Sequence, residues 1–190
     1  MWCAANTLTR PNPPMIDLVV AAAVYGNTAA VKHWQMQTAP DCVEQTIRIV
    51  TDELASPVSE SAVDGYAQRN GWYDPSVGTS GLYWPTVLAH FGVAHSEEGY
   101  HSLATVKRDL REGRRVVVVL DGPRVWDLFG YSTPVDTGAA DHAVVLDEVT
   151  ASSVVLTDTG VPTGATEVAP LSVFKSAWST SGYLTVSAWR

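Results

Sequence analysis

Three side chains in this sequence could together form a nucleophilic site, namely Cys42, His142 and Asp158. Cys42 stands at the start of a predicted helix, where free N–H groups and the helix dipole favour a thiolate, the form that attacks a carbonyl carbon. His142 opens an apolar strand and Asp158 ends the next one, so the carboxylate could orient the imidazole. Each also has a plainer explanation: a small buried cysteine, a structural histidine and a turn aspartate.

Two glutamines shortly before the cysteine could complete such a site. The side-chain amide of Gln35 or Gln37, with the backbone N–H of Cys42, could bind the oxyanion of an acyl-transfer intermediate. On the sequence alone, ordinary polar loop residues are the simpler explanation for both.

The other residues that could carry chemistry show no pattern for a metal ion or a cofactor. His90, His95 and His101 fall at a predicted helix end and in a predicted loop, without regular ligand spacing. The sequence has neither a phosphate-binding glycine loop nor a serine nucleophile elbow. We therefore expect no cofactor and no metal site.

The composition bounds the class of protein. The chain has 190 residues, 46% of them hydrophobic, which suits one domain with a real core. Its formal net charge of −8 and its lack of long basic runs argue against nucleic acid or an anionic membrane surface as a partner. No stretch reaches the length of a membrane-spanning helix. The two cysteines, Cys3 and Cys42, are too few for a disulfide framework.

The ends of the chain suggest a leader followed by a single domain. Residues 1–15 hold three prolines and no periodicity, so we expect a flexible leader there and one domain over residues 16–190. Met15 is an alternative start. The apolar stretch 16–25 has only a weak basic flank for a signal peptide, which leaves a cytoplasmic protein and an exported one both open.

The pattern of apolar residues predicts helices first and strands later. After Cys42, apolar residues at Val43, Ile47, Val50 and Leu54 follow helical spacing, with Asp41 as the expected N-cap. We predict helices over residues 42–54, 62–68, 84–91, 103–112 and 173–178. We predict strands over residues 115–120, 142–149, 153–157 and 183–188. This order indicates an α+β fold rather than a wound parallel sheet.

The order of glutamine, cysteine helix, histidine strand and aspartate strand resembles the bacteriocin-processing-peptidase-like cysteine peptidases of the papain clan, in particular actinobacterial stand-alone members. The likeness covers residues 25–189. Its marks include Trp34-Gln35-Met36-Gln37 and Asp41-Cys42, and the most specific are the blocks Asp141-His142-Ala143-Val144-Val145 and Thr157-Asp158-Thr159-Gly160. The resemblance implies a papain-like fold, with N-terminal helices packed on a C-terminal antiparallel sheet.

The resemblance also implies roles for single residues. Cys42 matches the nucleophile, His142 the general base, Asp158 the group that orients the base, and a glutamine the oxyanion donor. The family usually has five residues between this glutamine and the cysteine, whereas Gln37 leaves four and Gln35 leaves six. We favour Gln37, because a shorter loop needs less slack to place an amide beside the cysteine. Two further departures are Val43, where glycine or alanine is usual, and Thr159, where proline is usual.

Two functions fit these observations. The first is a thiol hydrolase that cleaves a peptide or other amide bond through a Cys-His-Asp triad and an acyl-enzyme. The second is a papain-like domain without turnover that serves as a binding module or secreted effector. The glutamine discriminates between them: if neither Gln35 nor Gln37 reaches the cleft beside Cys42, the second function gains.

Overall fold

An antiparallel sheet forms the centre of the fold. The computed structural model describes residues 23–76, 78–79, 83–131 and 138–190; the predicted leader, residues 1–15, and Cys3 lie outside these ranges. The strands of the sheet are β1 (Tyr25–Gly26), β4 (His95–Tyr100), β5 (Arg115–Leu120), β6 (His142–Val149), β7 (Ser153–Thr157), β8 (Glu167–Pro170) and β9 (Leu184–Trp189). Their order is β4-β9-β5-β6-β7-β8, with β1 beside the far end of β6. A separate hairpin pairs β2 (Tyr73–Asp74) with β3 (Gly78–Thr79).

Helices cover both faces of this sheet. They are α1 (Cys42–Leu54), α2 (Glu60–Arg69), α3 (Trp84–His90), α4 (Leu103–Arg111), α5 (Gly122–Trp126) and α6 (Leu171–Ser179). One apolar cluster lies between the sheet and α1 to α3, and a second lies between the sheet and α4 to α6. Neighbouring residues of β5 alternate between them, because successive strand side chains point to opposite faces: Val117 joins the first cluster, and Val116 and Val118 the second. The N-terminal helices thus pack on one face of the sheet, as expected for the α+β fold.

None of the helices among the described residues is both long enough and apolar enough to cross a bilayer.

Most predicted elements match the structure in kind and place. The helix at Cys42 and the strands at Arg115, His142 and Ser153 begin and end at the predicted residues. The helix expected from residue 62 instead begins at Glu60. Its N-cap is Ser59, whose hydroxyl accepts a hydrogen bond from the backbone N–H of Ala62 at 3.2 Å. Ser61 therefore lies inside the first turn.

The strands β4 and β8 and the short helix α5 are among the elements that were not predicted. Residues 95–100 were expected to be a loop, but they form β4, whose backbone pairs with β9 along its whole length. The sequence of β4, His-Ser-Glu-Glu-Gly-Tyr, has no apolar alternation, so only the tertiary pairing specifies it. In β8 the usual pattern is inverted, since Glu167 is buried and Val168 is 55% exposed. Helix α5 has five residues, too few to show a helical period.

Candidate functional site

Cys42 is the first residue of α1, as predicted, and it is a free, partly exposed thiol. Asp41 occupies the N-cap position, as predicted, but its side chain makes no capping hydrogen bond. Its carboxylate Oδ2 instead accepts a hydrogen bond from Gln45 Nε2 at 3.2 Å. The first backbone N–H groups of α1 therefore receive no side-chain cap from Asp41. They can donate hydrogen bonds to an anion beside Cys42.

His142 and Asp158 form a buried pair at the ends of two neighbouring strands. His142 opens β6, Asp158 directly follows β7, and these strands pair antiparallel with Val145 opposite Thr157. The ring Nε2 of His142 lies 2.6 Å from Asp158 Oδ1. Cys42 lines the same cleft as His142 and lies near enough to help raise the pKa of the ring. Because Nε2 is engaged by Asp158, Nδ1 is the ring nitrogen that remains for the thiol. His142 lies at the end of an interior strand of the sheet rather than at its edge.

The Asp158 carboxylate accepts hydrogen bonds from three N–H groups. Besides His142, the backbone N–H of Gly160 donates to Oδ1 at 2.6 Å, and the indole Nε1 of Trp126 donates to Oδ2 at 2.7 Å. The Trp126 ring also meets the His142 ring edge-on, with centroids 4.9 Å apart. Trp126 therefore shields the pair as well as holding the carboxylate.

Opposing effects fix the charges of this pair. Burial acts to lower the pKa of His142, but the charge and hydrogen bond of Asp158, with the contact to Cys42, raise it well above 6.5. Burial acts to raise the pKa of Asp158, and the charge of His142 with the three hydrogen bonds outweighs burial and lowers it. The geometry thus favours an ionised aspartate and a ring that keeps its proton next to the Cys42 sulfur.

Of the two candidate glutamines, Gln37 lies in the cleft. Its backbone N–H donates to Thr159 O at 2.8 Å, and its side-chain Oε1 accepts from the Thr159 hydroxyl at 2.9 Å. One N–H of its amide donates to Ala39 O at 3.1 Å, and an amide has a second N–H to offer. Gln35 is exposed and does not line the cleft.

Trp34 and Thr159 were not predicted as parts of the site. The indole Nε1 of Trp34 donates to the backbone carbonyl of Asp158 at 2.6 Å, and Thr159 is fully buried against Gln37. Both bonds tie the loop before α1 to the loop after β7. The only signal in the sequence was their position next to candidate site residues: Trp34 precedes the glutamines, and Thr159 follows Asp158.

The cleft that these residues share encloses about 300 Å³. Cys42 and His142 lie in it together with Gln37, and its apolar wall comes from Val43, Trp84, Val119, Ala143 and Leu184. A space of this size suits one or two residues of an extended chain more than a large cofactor.

Two clusters among the described residues bring three candidate metal-ligating atoms within 4.8 Å of one another: Glu97 with His101 and Asp109, and Asp41 with Glu60 and Asp64. In the first, Arg108 lies 2.9 Å from Asp109 and Arg114 lies 3.9 Å from it, so the carboxylate already has cationic partners. The second adjoins Cys42 along the chain.

Comparison with solved structures identifies the class of protein that this fold defines. A Bacillus anthracis protein assigned as a C39-like peptidase aligns over 88% of this chain and 98% of its own, with a TM-score of 0.64 and 12% identity. A double-glycine motif protease from an AMS/PCAT transporter, crystallised with its leader peptide, aligns over 83% and 91%, with a TM-score of 0.57 and 14% identity. The fold is that of the C39-like cysteine peptidases, which confirms the α+β papain-like prediction.

Sequence comparison narrows this class to a family. No family model matches the sequence. The uncharacterized proteins Rv1268c of Mycobacterium tuberculosis and Mb1299c of Mycobacterium bovis are each 32% identical to this chain, over 85% of its length and 82% of theirs. This chain belongs to the same family as these mycobacterial proteins. Mycobacteria are actinobacteria, which agrees with the resemblance inferred from the motifs.

Proposed function

We propose that this protein is a thiol hydrolase that cleaves a peptide or other amide bond through an acyl-enzyme. The observation that carries the proposal is the buried His142–Asp158 pair, with a 2.6 Å bond between ring and carboxylate, in a cleft that Cys42 at the start of α1 also lines. A nucleophile, a base and a group that orients the base therefore meet in one cleft.

The proposed reaction has two steps. In the first, the Cys42 sulfur attacks the amide carbon, and His142 transfers the thiol proton to the leaving nitrogen, so that an amine departs and a thioester forms. In the second, His142 takes a proton from water, the resulting hydroxide attacks the thioester, and the proton returns to the Cys42 sulfur as the acid departs. Asp158 keeps the ring oriented throughout.

Gln37 supports the stabilisation of the tetrahedral intermediate in both steps. Its second amide N–H and the uncapped backbone N–H groups at the start of α1 are the available donors for the oxyanion. Thr159 and Ala39 fix both ends of the amide, so the donor needs little reorganisation when charge develops.

A peptide is the amide substrate that we favour. The neighbour from the AMS/PCAT transporter was crystallised with a leader peptide. The cleft of this chain has a mainly apolar wall and room for one or two residues, which suits an extended segment better than a folded protein surface.

A peptide-library digest read by mass spectrometry tests the proposal. We expect the wild type to cleave, Cys42→Ala to lose cleavage, and Gln37→Ala to lose about a hundredfold to a thousandfold in rate, the usual effect of removing one oxyanion donor. Gln35→Ala is the matched control, because Gln35 is exposed outside the cleft, and it should cleave as the wild type does. Cleavage that persists in Cys42→Ala would contradict the mechanism. No cleavage by the wild type, with a Cys42 that iodoacetamide does not alkylate, would favour the binding module.

Removing the Thr159 hydroxyl should weaken catalysis through Gln37. In Thr159→Val the amide loses the hydrogen bond at Oε1 and can rotate, so we expect kcat to fall about tenfold while KM changes less than about twofold. The conservative Thr159→Ser keeps a hydroxyl and should restore most of kcat. Thr163→Val, in the same loop, is the control. An unchanged kcat in Thr159→Val would show that the hydroxyl does not position the glutamine.

A further inference from the structure

Three carboxylates converge where α1 and α2 begin. Asp41, Glu60 and Asp64 each place a carboxylate oxygen within 4.8 Å of the other two. Glu60 and Asp64 are four residues apart in the first turns of α2, so they lie on one face of that helix. Asp41 immediately precedes α1 and the thiol of Cys42. We call these three residues the carboxylate cluster.

The side chain of Asp41 has a buried oxygen without a partner. Asp41 is fully buried, its Oδ2 accepts only from Gln45, and its Oδ1 has no hydrogen-bond partner among the described residues. At the N-cap position an aspartate usually turns its carboxylate towards the helix N–H groups. Asp41 turns its carboxylate towards Glu60 and Asp64 instead. A buried carboxylate oxygen without a partner is unfavourable in its ionised form, and a cation beside it would remove this cost.

A fourth carboxylate, that of Glu44, stands close to the carboxylate cluster. Glu44 is 1% exposed; its Oε1 accepts from the Thr79 hydroxyl at 2.5 Å, and its Oε2 has no described partner. The charges of Asp64 and Asp41 act on Glu44, and those of all four carboxylates act on the buried Tyr73. Glu44 therefore belongs to the same electrostatic site.

The described part of the chain supplies no positive charge to this site. None of the ion pairs among the described residues involves Asp41, Glu44, Glu60 or Asp64. The cluster at Asp109 is the internal contrast, because two arginines pair with it. Like charges four residues apart on a helix repel each other, so this arrangement is unfavourable unless a cation from outside joins it.

We propose that Asp41, Glu60 and Asp64 bind one divalent cation, calcium by preference, with Glu44 as a further negative charge nearby. Donor sets made only of oxygen suit calcium and magnesium rather than zinc. Calcium accepts six to eight oxygen ligands in flexible geometry, including bidentate carboxylates, whereas magnesium usually keeps several waters. Asp41 and Glu44 are buried and leave little room for water, which favours calcium.

This proposal revises the expectation of no metal site. That expectation considered histidine spacing, and it could not reveal carboxylates that lie on two helices and meet only in the fold. A bound cation would hold Asp41, and with it the first turn of α1 that carries Cys42. Through Glu44 and Thr79 it would also hold one wall of the cleft.

Thermal unfolding of the full chain tests the site. After treatment with EDTA, calcium at about a hundredfold excess over its Kd should raise the unfolding midpoint by about 5 °C. Asp64→Asn and Glu60→Gln should lose this rise, whatever their midpoints without calcium. Glu97→Gln is the matched control, since it removes a carboxylate from the other cluster, and it should keep the full rise. An equal rise in Asp64→Asn, or no rise in the wild type, would overturn the proposal.

Calorimetric titration of the wild type gives a second measurement that needs no variant. We expect one calcium ion per chain and binding at least about tenfold tighter than that of magnesium. The absence of saturable heat up to about 10 mM calcium would overturn the site, and magnesium binding as tight as calcium would overturn the calcium preference. Both outcomes are independent of peptidase activity, so a failure here leaves the proposed function untouched.

Discussion

Asp158→Asn should lose about a thousandfold or more of kcat on any peptide that the wild type cleaves. The carboxylate accepts hydrogen bonds from His142, Gly160 and Trp126, all of which are donors. Asparagine offers one acceptor oxygen and an NH₂ group, so one donor would meet another donor. The ring of His142 would then turn or take the other tautomer, which removes the base from Cys42. This prediction rests on the proposed function.

A second observable separates this role from a structural one. The charge of Asp158 helps to raise the pKa of His142, so Asp158→Asn should lower that pKa even where the protein remains folded. Imidazole NMR signals followed across pH, in a Cys42→Ala background, would measure it. Asp127→Asn is the control, because Asp127 is exposed on the turn after α5. A variant that keeps more than about a third of wild-type kcat would contradict the triad.

The free energy of unfolding of the wild type should fall as pH rises from acid to mildly alkaline values, and Glu167→Gln should abolish this fall. Glu167 is 1% exposed, and its side chain faces Asp158 and His142. Neither of its carboxyl oxygens has a hydrogen-bond partner among the described residues. Burial, followed by the charge of Asp158, raises the pKa of Glu167 from 4.5 to about 8, although His142 acts in the opposite direction. Only a protonated Glu167 can donate a hydrogen bond to Asp158.

The direction of the pH effect follows from proton binding. Between pH 4.5 and about 8 the folded protein keeps a proton on Glu167 that the unfolded chain has lost, so the free energy of unfolding falls as pH rises through this window. Full ionisation of Glu167 in the folded protein costs on the order of 5 kcal/mol, and this cost is constant above the folded pKa. Glutamine cannot ionise, so the free energy of unfolding of Glu167→Gln should increase relative to that of the wild type as pH rises.

Denaturant unfolding at several pH values measures this difference. The stability gap between Glu167→Gln and the wild type should grow between pH 5 and pH 8 and then level off. The variant Glu112→Gln, at an exposed position after α4, should follow the wild type at every pH. If the gap is the same at pH 5 and pH 8, then Glu167 is ionised in the folded protein across this range, and our account of its environment is wrong.

The sequence predicts best those helices and strands whose own residues show a helical or strand-like pattern of apolar side chains. In α1 the spacing of apolar residues, and in β5 the run of valines, are sufficient, because each element buries most of its side chains. The edge strands β4 and β8 cannot be predicted from such a pattern. Their backbones pair with β9 and β7, while their side chains do not follow a polar-out pattern. In β8 the buried residue is the carboxyl of Glu167.

Some residues of the candidate site could likewise be predicted from the sequence, and others could not. Cys42, His142 and Asp158 could be selected from their order and their positions at element ends, and the structure brings all three to one place. The choice between Gln35 and Gln37 could not be made, because it depends on the backbone hydrogen bond from residue 37 to Thr159. Nor could the carboxylate cluster be found, since its members lie on elements whose relative placement only the fold sets.

The bonds between the loop before α1 and the loop after β7 also have a consequence for biosynthesis. Trp34 contacts Asp158 across 124 residues of sequence, and Thr159 contacts Gln37 across 122. Closing such long loops is entropically costly, so contacts of this kind form late in folding. The thiol emerges from the ribosome long before its histidine and aspartate partners. A growing chain therefore carries an incomplete site, and any cleavage activity begins only after the segment that holds Asp158 has been synthesised.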